Sequence, residues 1–247
     1  MVKHLHPTSY VPVPGSRAAY RERGAGPAVV FVHGGTGTAE HDWSSLATRL
    51  DDRYRTVLVD LRGHGASPDP TREVGITRSG LDLTHVLRAL GLPRAVLVGF
   101  SYGGNTLLHL LGRDSRWARA LVTVGASAEG DPGRVEEIMT GRWPSALRNL
   151  RHAASDDPGY WQELRAALAH DWAENLALAD AALARIECPA LVVHGGADVF
   201  QPLTYADRLV AGLPHAQLAV IADAGHAVQL DAPDEFLALL EAFLGGL

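Results

Sequence analysis

The segment Val96-Leu97-Val98-Gly99-Phe100-Ser101-Tyr102-Gly103-Gly104 constrains what this chain can fold into more than any other. Its apolar start reads as a buried strand, and Leu107, Leu108, Leu110 and Leu111 read as a helix that follows at once. A strand passing directly into a helix needs a sharp turn, and Gly99-x-Ser101-x-Gly103 puts small residues on both sides of a serine there. A Cβ at either glycine would press on neighbouring backbone. The turn holds Ser101 in a strained conformation with its hydroxyl exposed at the top of the sheet. Tyr102 opens the helix, so its backbone N–H has no intrahelical acceptor and lies at the positive end of the helix dipole. Negative charge forming beside Ser101 would be stabilised there.

The rest of the chain alternates around this turn. Val11-Pro12-Val13 and Ala18 to Arg23 predict a short edge hairpin. Further strands are expected over Ala28 to Val32, Thr56 to Asp60, Ala120 to Val124, Ala190 to Val193 and Gln217 to Ile221. Helices are expected over Trp43 to Leu50, Ile76 to Leu90 and Pro233 to Leu244. Such alternation implies an α/β fold: a mostly parallel sheet with helices on both faces. From about Ala126 to Glu187 no strand-like run occurs, and helical stretches over 135–140, 145–152 and 160–178 are broken by Pro132, Pro144 and Pro158. The expected division is a core of residues 1–125 and 188–247 with a helical lid, 126–187, over the carboxyl ends of the strands.

Composition removes several classes of function. A net charge of -6 argues against nucleic acid as a partner, since phosphate binding needs a basic face. Lys3 is the only lysine, which leaves no lysine for Schiff-base chemistry in the body of the chain. Cys188 is the single cysteine and reads as a small core residue before Pro189, so no intrachain disulfide forms. No apolar run is long enough to span a bilayer, and residues 1–15 carry no apolar signal segment. A soluble cytoplasmic protein without a membrane partner is the expectation. Neither a His-Glu-x-x-His pattern nor a cysteine pair suggests a metal, and Gly34-Gly35-Thr36-Gly37 lacks the dinucleotide fingerprint.

Gly99-Phe100-Ser101-Tyr102-Gly103-Gly104 resembles the nucleophile elbow of α/β-hydrolases. His33-Gly34-Gly35-Thr36-Gly37 is similar to that family's oxyanion loop, His194-Gly195-Gly196-Ala197-Asp198 to its acid loop, and Asp223-Ala224-Gly225-His226 to its histidine loop. The four occur in the family's order across nearly the whole chain. The resemblance implies an eight-stranded sheet with a helical lid, no cofactor, and a triad of Ser101, His226 and Asp198. In that triad Asp198 orients His226, and His226 takes the Ser101 proton and returns it to the leaving group. Tyr102 and Gly35 are the expected oxyanion donors, with Thr36 next in line for the second place. Asp223, Asp231 and Glu129 are weaker candidates for the acid. The resemblance gives His33 the job of holding its loop in shape, and makes Asp60-Leu61-Arg62-Gly63-His64-Gly65 a structural turn.

Serine at the elbow favours an acyl-enzyme route, with carboxylic ester or lactone hydrolysis foremost. A cofactor-free perhydrolase or haloperoxidase, a thioesterase and a carbon–carbon bond hydrolase share the triad, and a binding protein on the same fold is the non-enzymatic alternative. Among the aromatic and thioether residues Met139, Trp143, Tyr160, Trp161 and Trp172, the tryptophans Trp143, Trp161 and Trp172 are the expected substrate contacts. They suit a small-molecule substrate with an apolar or aromatic part. Arg142, Arg148 and Arg151 read as a solvated helix face.

Overall fold

The computed structural model describes residues 7–130, 133, 152, 157 and 159–247. Eight strands form one sheet: β1 (Ser9–Val13), β2 (Ser16–Arg23), β3 (Ala28–Val32), β4 (Arg55–Val59), β5 (Ala95–Phe100), β6 (Ala118–Val124), β7 (Ala190–Gly195) and β8 (Ala216–Ile221). Their order is β1-β2-β4-β3-β5-β6-β7-β8. The first hairpin and the β2–β4 pair are antiparallel, and every later pairing is parallel. The helices described between them are α1 (Ala39–Leu50), α2 (Ile76–Ala89), α3 (Tyr102–Arg113), α4 (Tyr160–Asn175), α5 (Asp180–Leu183), α6 (Leu203–Gly212), α7 (Val228–Asp231) and α8 (Pro233–Gly245).

Side chains of a strand alternate between faces, so runs such as Val29-Val30-Phe31-Val32 must bury both sets. Val30 and Val32 join Leu97, Leu121 and Val192 beneath the apolar stripes of α2 and α3 (Leu83, Val86, Leu87, Leu107, Leu111). Val29 and Phe31 join Leu58, Val98 and Val193 on the opposite face, covered by Trp43 and Leu46 of α1 and Phe236 and Leu240 of α8. Two apolar layers therefore clamp the sheet, and the loops after the carboxyl ends of β3, β4, β5, β6, β7 and β8 share one rim. This is the rim where open parallel sheets bind ligands.

Helices α4 and α6 differ from the expectation, and the four-residue helices α5 and α7 come in addition to it. The helix expected over 160–178 ends at Asn175, because the chain turns away and the Leu178 N–H donates to the Ala128 carbonyl at 3.0 Å. Helix α6 went unforeseen, since only Ala206 and Leu209 are fully buried and its apolar stripe is short. No helix among the described residues is long and apolar enough to cross a membrane.

Candidate active site

Ser101 lies between β5 and α3 with φ 48° and ψ -115°. That left-handed φ is costly for a serine and persists only where the surroundings impose it. They do so here, with the Ser101 N–H donating to Val124 O at 2.7 Å and the Asn105 N–H donating to Ser101 O at 2.9 Å. A Cβ on Gly99 would stand 2.6 Å from the Gly104 nitrogen, and one on Gly103 would stand 2.5 Å from the Val32 and His33 carbonyl oxygens. Backbone atoms cannot swing aside, so the turn that aims Ser101 excludes any larger residue at these two places.

The imidazole of His226, from the loop after β8, brings its Nε2 to 3.0 Å from Ser101 Oγ. Its Nδ1 is 2.8 Å from Asp198 Oδ2, in the loop after β7. The Asp198 side chain is fully buried, whereas His226 keeps 17% exposure. The rings of Phe100 and Phe200 flank the imidazole at centroid distances of 5.1 and 5.3 Å. Asp198 Oδ1 accepts the N–H groups of Phe200 (2.7 Å) and Gln201 (3.0 Å). Burial pushes the Asp198 carboxyl up, but the His226 hydrogen bond and charge, with those two N–H groups, outweigh it. They hold the carboxyl below the usual carboxylate range. An ionised Asp198 fixes a proton on Nδ1 and leaves the Nε2 lone pair facing the Ser101 hydroxyl.

The other carboxylates lie elsewhere. Glu129 pairs with Arg208 at 3.1 Å, Asp223 is exposed, and Asp231 accepts the Gly225 N–H at 2.9 Å and so shapes the histidine loop. Burial raises the Cys188 thiol to about 11, which makes it a poor nucleophile.

The loop after β3 is held by side chains from three sides. His33 donates through Nδ1 to Gly34 O (2.7 Å) and accepts the Leu61 N–H at Nε2 (2.9 Å). Asp42 Oδ2, from α1, accepts the Gly34 N–H at 2.8 Å. Thr36 has φ 60°, a left-handed conformation that strains a β-branched residue by about 1–2 kcal/mol. Its N–H is accepted by His64 Nε2 at 3.1 Å, and the Gly37 N–H by Gly34 O at 3.1 Å. Among the described residues the N–H groups of Gly35 and Tyr102 have no protein acceptor, and a Cβ on Gly35 would come 3.6 Å from Tyr102 Cβ. Two free donors thus adjoin the serine at the mouth of the elbow.

The Alpha/beta hydrolase family profile matches residues 29–239, a span that takes in all four of these loops. The chain belongs to that family. It is 31% identical to Polyketide synthase ThaQ of Burkholderia thailandensis over 93% of this chain, while spanning only 12% of that protein. To the 2-hydroxymuconate semialdehyde hydrolase of a Pseudomonas species it is 30% identical, covering 93% of this chain and 91% of that one. A solved structure of a meta-cleavage product hydrolase, CumD of Pseudomonas fluorescens, matches with a TM-score of 0.84 at 22% identity, over 96% of this chain and 97% of that one.

In this α/β-hydrolase, α4 packs directly on the site. The Tyr160 hydroxyl donates to Gly63 O, Asp171 Oδ2 accepts the Ile76 N–H at 2.8 Å, and His109 Nε2 donates to Leu176 O at 3.1 Å. These ties seat Trp172 so that a Cβ on Gly35 would meet its Cζ2 at 2.9 Å, and its ring lies 6.0 Å from that of Tyr102. Trp172 is buried, yet its indole N–H has no acceptor among the described residues. Trp161 is half-buried and eleven residues earlier, about 16 Å along the helix axis, so α4 does not bring both tryptophans to one spot. Trp143, with Met139, Arg142, Arg148 and Arg151, lies outside the described residues.

Three residues that hold the site carried no signal of that role in the sequence: Asp42, His64, which stood only within an expected structural turn, and His152. The last accepts the Gly65 N–H at Nδ1 (3.0 Å), and burial with the nearby His33 lowers its pKa to about 4. Asp42 does stand in the first turn of α1, where an acidic residue is common, but nothing local marks it as a partner of Gly34. Among the described residues no group of His, Cys, Asp and Glu is arranged to hold a metal ion.

Proposed function

We propose that this hydrolase cleaves a carboxylic ester or lactone through a triad of Ser101, His226 and Asp198 and an acyl-enzyme intermediate. The observation that carries the reading is the continuous line from Ser101 Oγ through His226 to Asp198, with contacts of 3.0 and 2.8 Å. As Oγ attacks the substrate carbonyl carbon, His226 Nε2 takes the hydroxyl proton, and the charge on His226 is offset by Asp198. The carbonyl oxygen becomes negative and is met by the free N–H groups of Gly35 and Tyr102. When the carbon–oxygen bond to the leaving group breaks, the imidazolium gives its proton to the departing alkoxide. Water then enters, loses a proton to Nε2, and releases the acid as Oγ regains its hydrogen. Residues 126–187 act as the lid, and Trp172 forms part of the substrate wall.

Carbon–carbon bond hydrolysis is the second reading, favoured by the 30% identity to a protein named 2-hydroxymuconate semialdehyde hydrolase. A substrate panel separates the two: p-nitrophenyl esters, lactones, acyl thioesters and vinylogous β-diketones, assayed with wild type, Ser101→Ala and His226→Ala. Ester or lactone turnover that falls at least ~10³-fold in both folded variants is expected. Turnover of the diketone alone would favour the second reading, and turnover of nothing would leave a binding protein on a hydrolase fold.

A further inference from the structure

His64 belongs to the turn after β4, whose role in the sequence was to tie loops together. In the structure it reaches across to the loop after β3. Its Nδ1–H donates to Arg62 O at 2.9 Å, which leaves Nε2 as an acceptor, and that acceptor takes the Thr36 N–H at 3.1 Å. The ring is completely buried and packed among His33, His152 and Tyr102 at centroid distances of 4.9, 5.9 and 6.0 Å.

The consequence lies in the four N–H groups of residues 34–37. Asp42 takes that of Gly34, His64 that of Thr36, and the Gly34 carbonyl that of Gly37. Among the described residues Gly35 is the one member of the four whose N–H has no acceptor, and a Cβ on it would come 3.6 Å from Tyr102 Cβ. A loop without the His64 acceptor would have two adjacent donors competing to face the substrate oxygen, and Thr36 would have no bond holding its left-handed φ of 60°.

We propose that His64 is a positioning residue that selects Gly35 as the oxyanion donor, by accepting the Thr36 N–H and locking Thr36 in its left-handed conformation. The inference rests on the hydrolytic reading above. His64 touches neither substrate nor the reacting atoms; it acts through the backbone of the loop.

The test compares three variants on one p-nitrophenyl ester that the wild type hydrolyses, with kcat and KM measured separately and folding checked by circular dichroism. His64→Leu removes the acceptor. His64→Gln restores an acceptor near the position of Nε2, whereas His64→Asn is equally polar but too short to reach Thr36. The expected result is a kcat lowered ~10²–10³-fold in His64→Leu and His64→Asn, KM changed less than about threefold, and kcat within about tenfold of wild type in His64→Gln. If His64→Leu fails to fold, the Gln and Asn pair decides the matter. Equal kcat in that pair, or a wild-type kcat in His64→Leu, overturns the proposal while leaving the triad reading untouched. A wild type that turns over no substrate and leaves Ser101 unlabelled by a fluorophosphonate removes both.

Discussion

Asp198 and His226 meet at 2.8 Å, and the carboxylate oxygen that does not touch the imidazole is held by the backbone N–H groups of Phe200 and Gln201. The carboxylate is therefore fixed on both sides and cannot rotate away from Nδ1. Asp198→Asn keeps the shape but presents an amide that can stabilise the wrong imidazole tautomer. We expect kcat to fall ~10³–10⁴-fold with little change in melting temperature. Glu129→Gln, whose parent side chain pairs with Arg208, should stay within about twofold of wild type. Steady-state kinetics of the two variants side by side checks this.

Gly103→Ala should be among the most damaging single changes in the chain. The new methyl would stand 2.5 Å from two carbonyl oxygens of β3 and its following residue, so the elbow must open to admit it. A loss of about 3 kcal/mol or more is expected, together with loss of activity. Chemical denaturation gives the first and a p-nitrophenyl ester assay the second. Gly91→Ala is the control, with a φ of 67° but open space around the position, and should cost about 1 kcal/mol.

Stability should decline as pH falls from about 6.5 towards 4. His152, lowered to about 4 by burial and by His33, and His64, lowered well below its usual value by burial, His33 and His152, stay neutral in the folded chain. The unfolded chain takes up protons on both at about pH 6.5, so it gains over the folded form as the solution acidifies. His109 and His194, also lowered first by burial, act in the same direction. The groups described around His152 include His33, His64, Asp60 and Tyr160, of which Asp60 opposes the shift. Asp198, held below the usual carboxylate range, adds its own loss only at still lower pH. Melting temperatures between pH 7.5 and 4.5 should drop less in His152→Gln than in wild type.

Trp172→Phe removes the indole N–H, which has no acceptor among the described residues, and takes away the outer ring atoms that lie nearest Gly35. An unsatisfied buried donor is a ready contact for a polar atom of the substrate. For esters carrying a hydrogen-bond acceptor on the acyl group, kcat/KM should fall about tenfold more than it does for unsubstituted acyl chains. Paired kinetics on the two ester types reads this out.

The elbow was readable because its demands are local: glycine where backbone crowds backbone, a strand before and a helix after. The loops carrying Asp198 and His226 were readable because each follows an apolar run. Helix α6 escaped because little of it is buried, and the end of α4 because Leu178 bonds to Ala128, fifty residues away. His64 and Asp42 were hidden for the same kind of reason. Each accepts a backbone N–H from the loop after β3, 28 residues away for His64 and eight for Asp42, and no residue spacing announces such a bond. Trp172 was picked out as an aromatic near the site, but its seat against Gly35 depends on three long-range ties that only the folded chain brings together.

The hydroxyl of Ser101, made nucleophilic by His226, is the centre of the account, and intact-mass spectrometry after exposure to a fluorophosphonate measures it directly. One phosphonyl group per wild-type chain, mapped to Ser101, absent in Ser101→Ala and slowed at least ~10²-fold in His226→Ala, is the predicted result. Unmodified wild-type protein, or labelling that persists in folded Ser101→Ala, would contradict it.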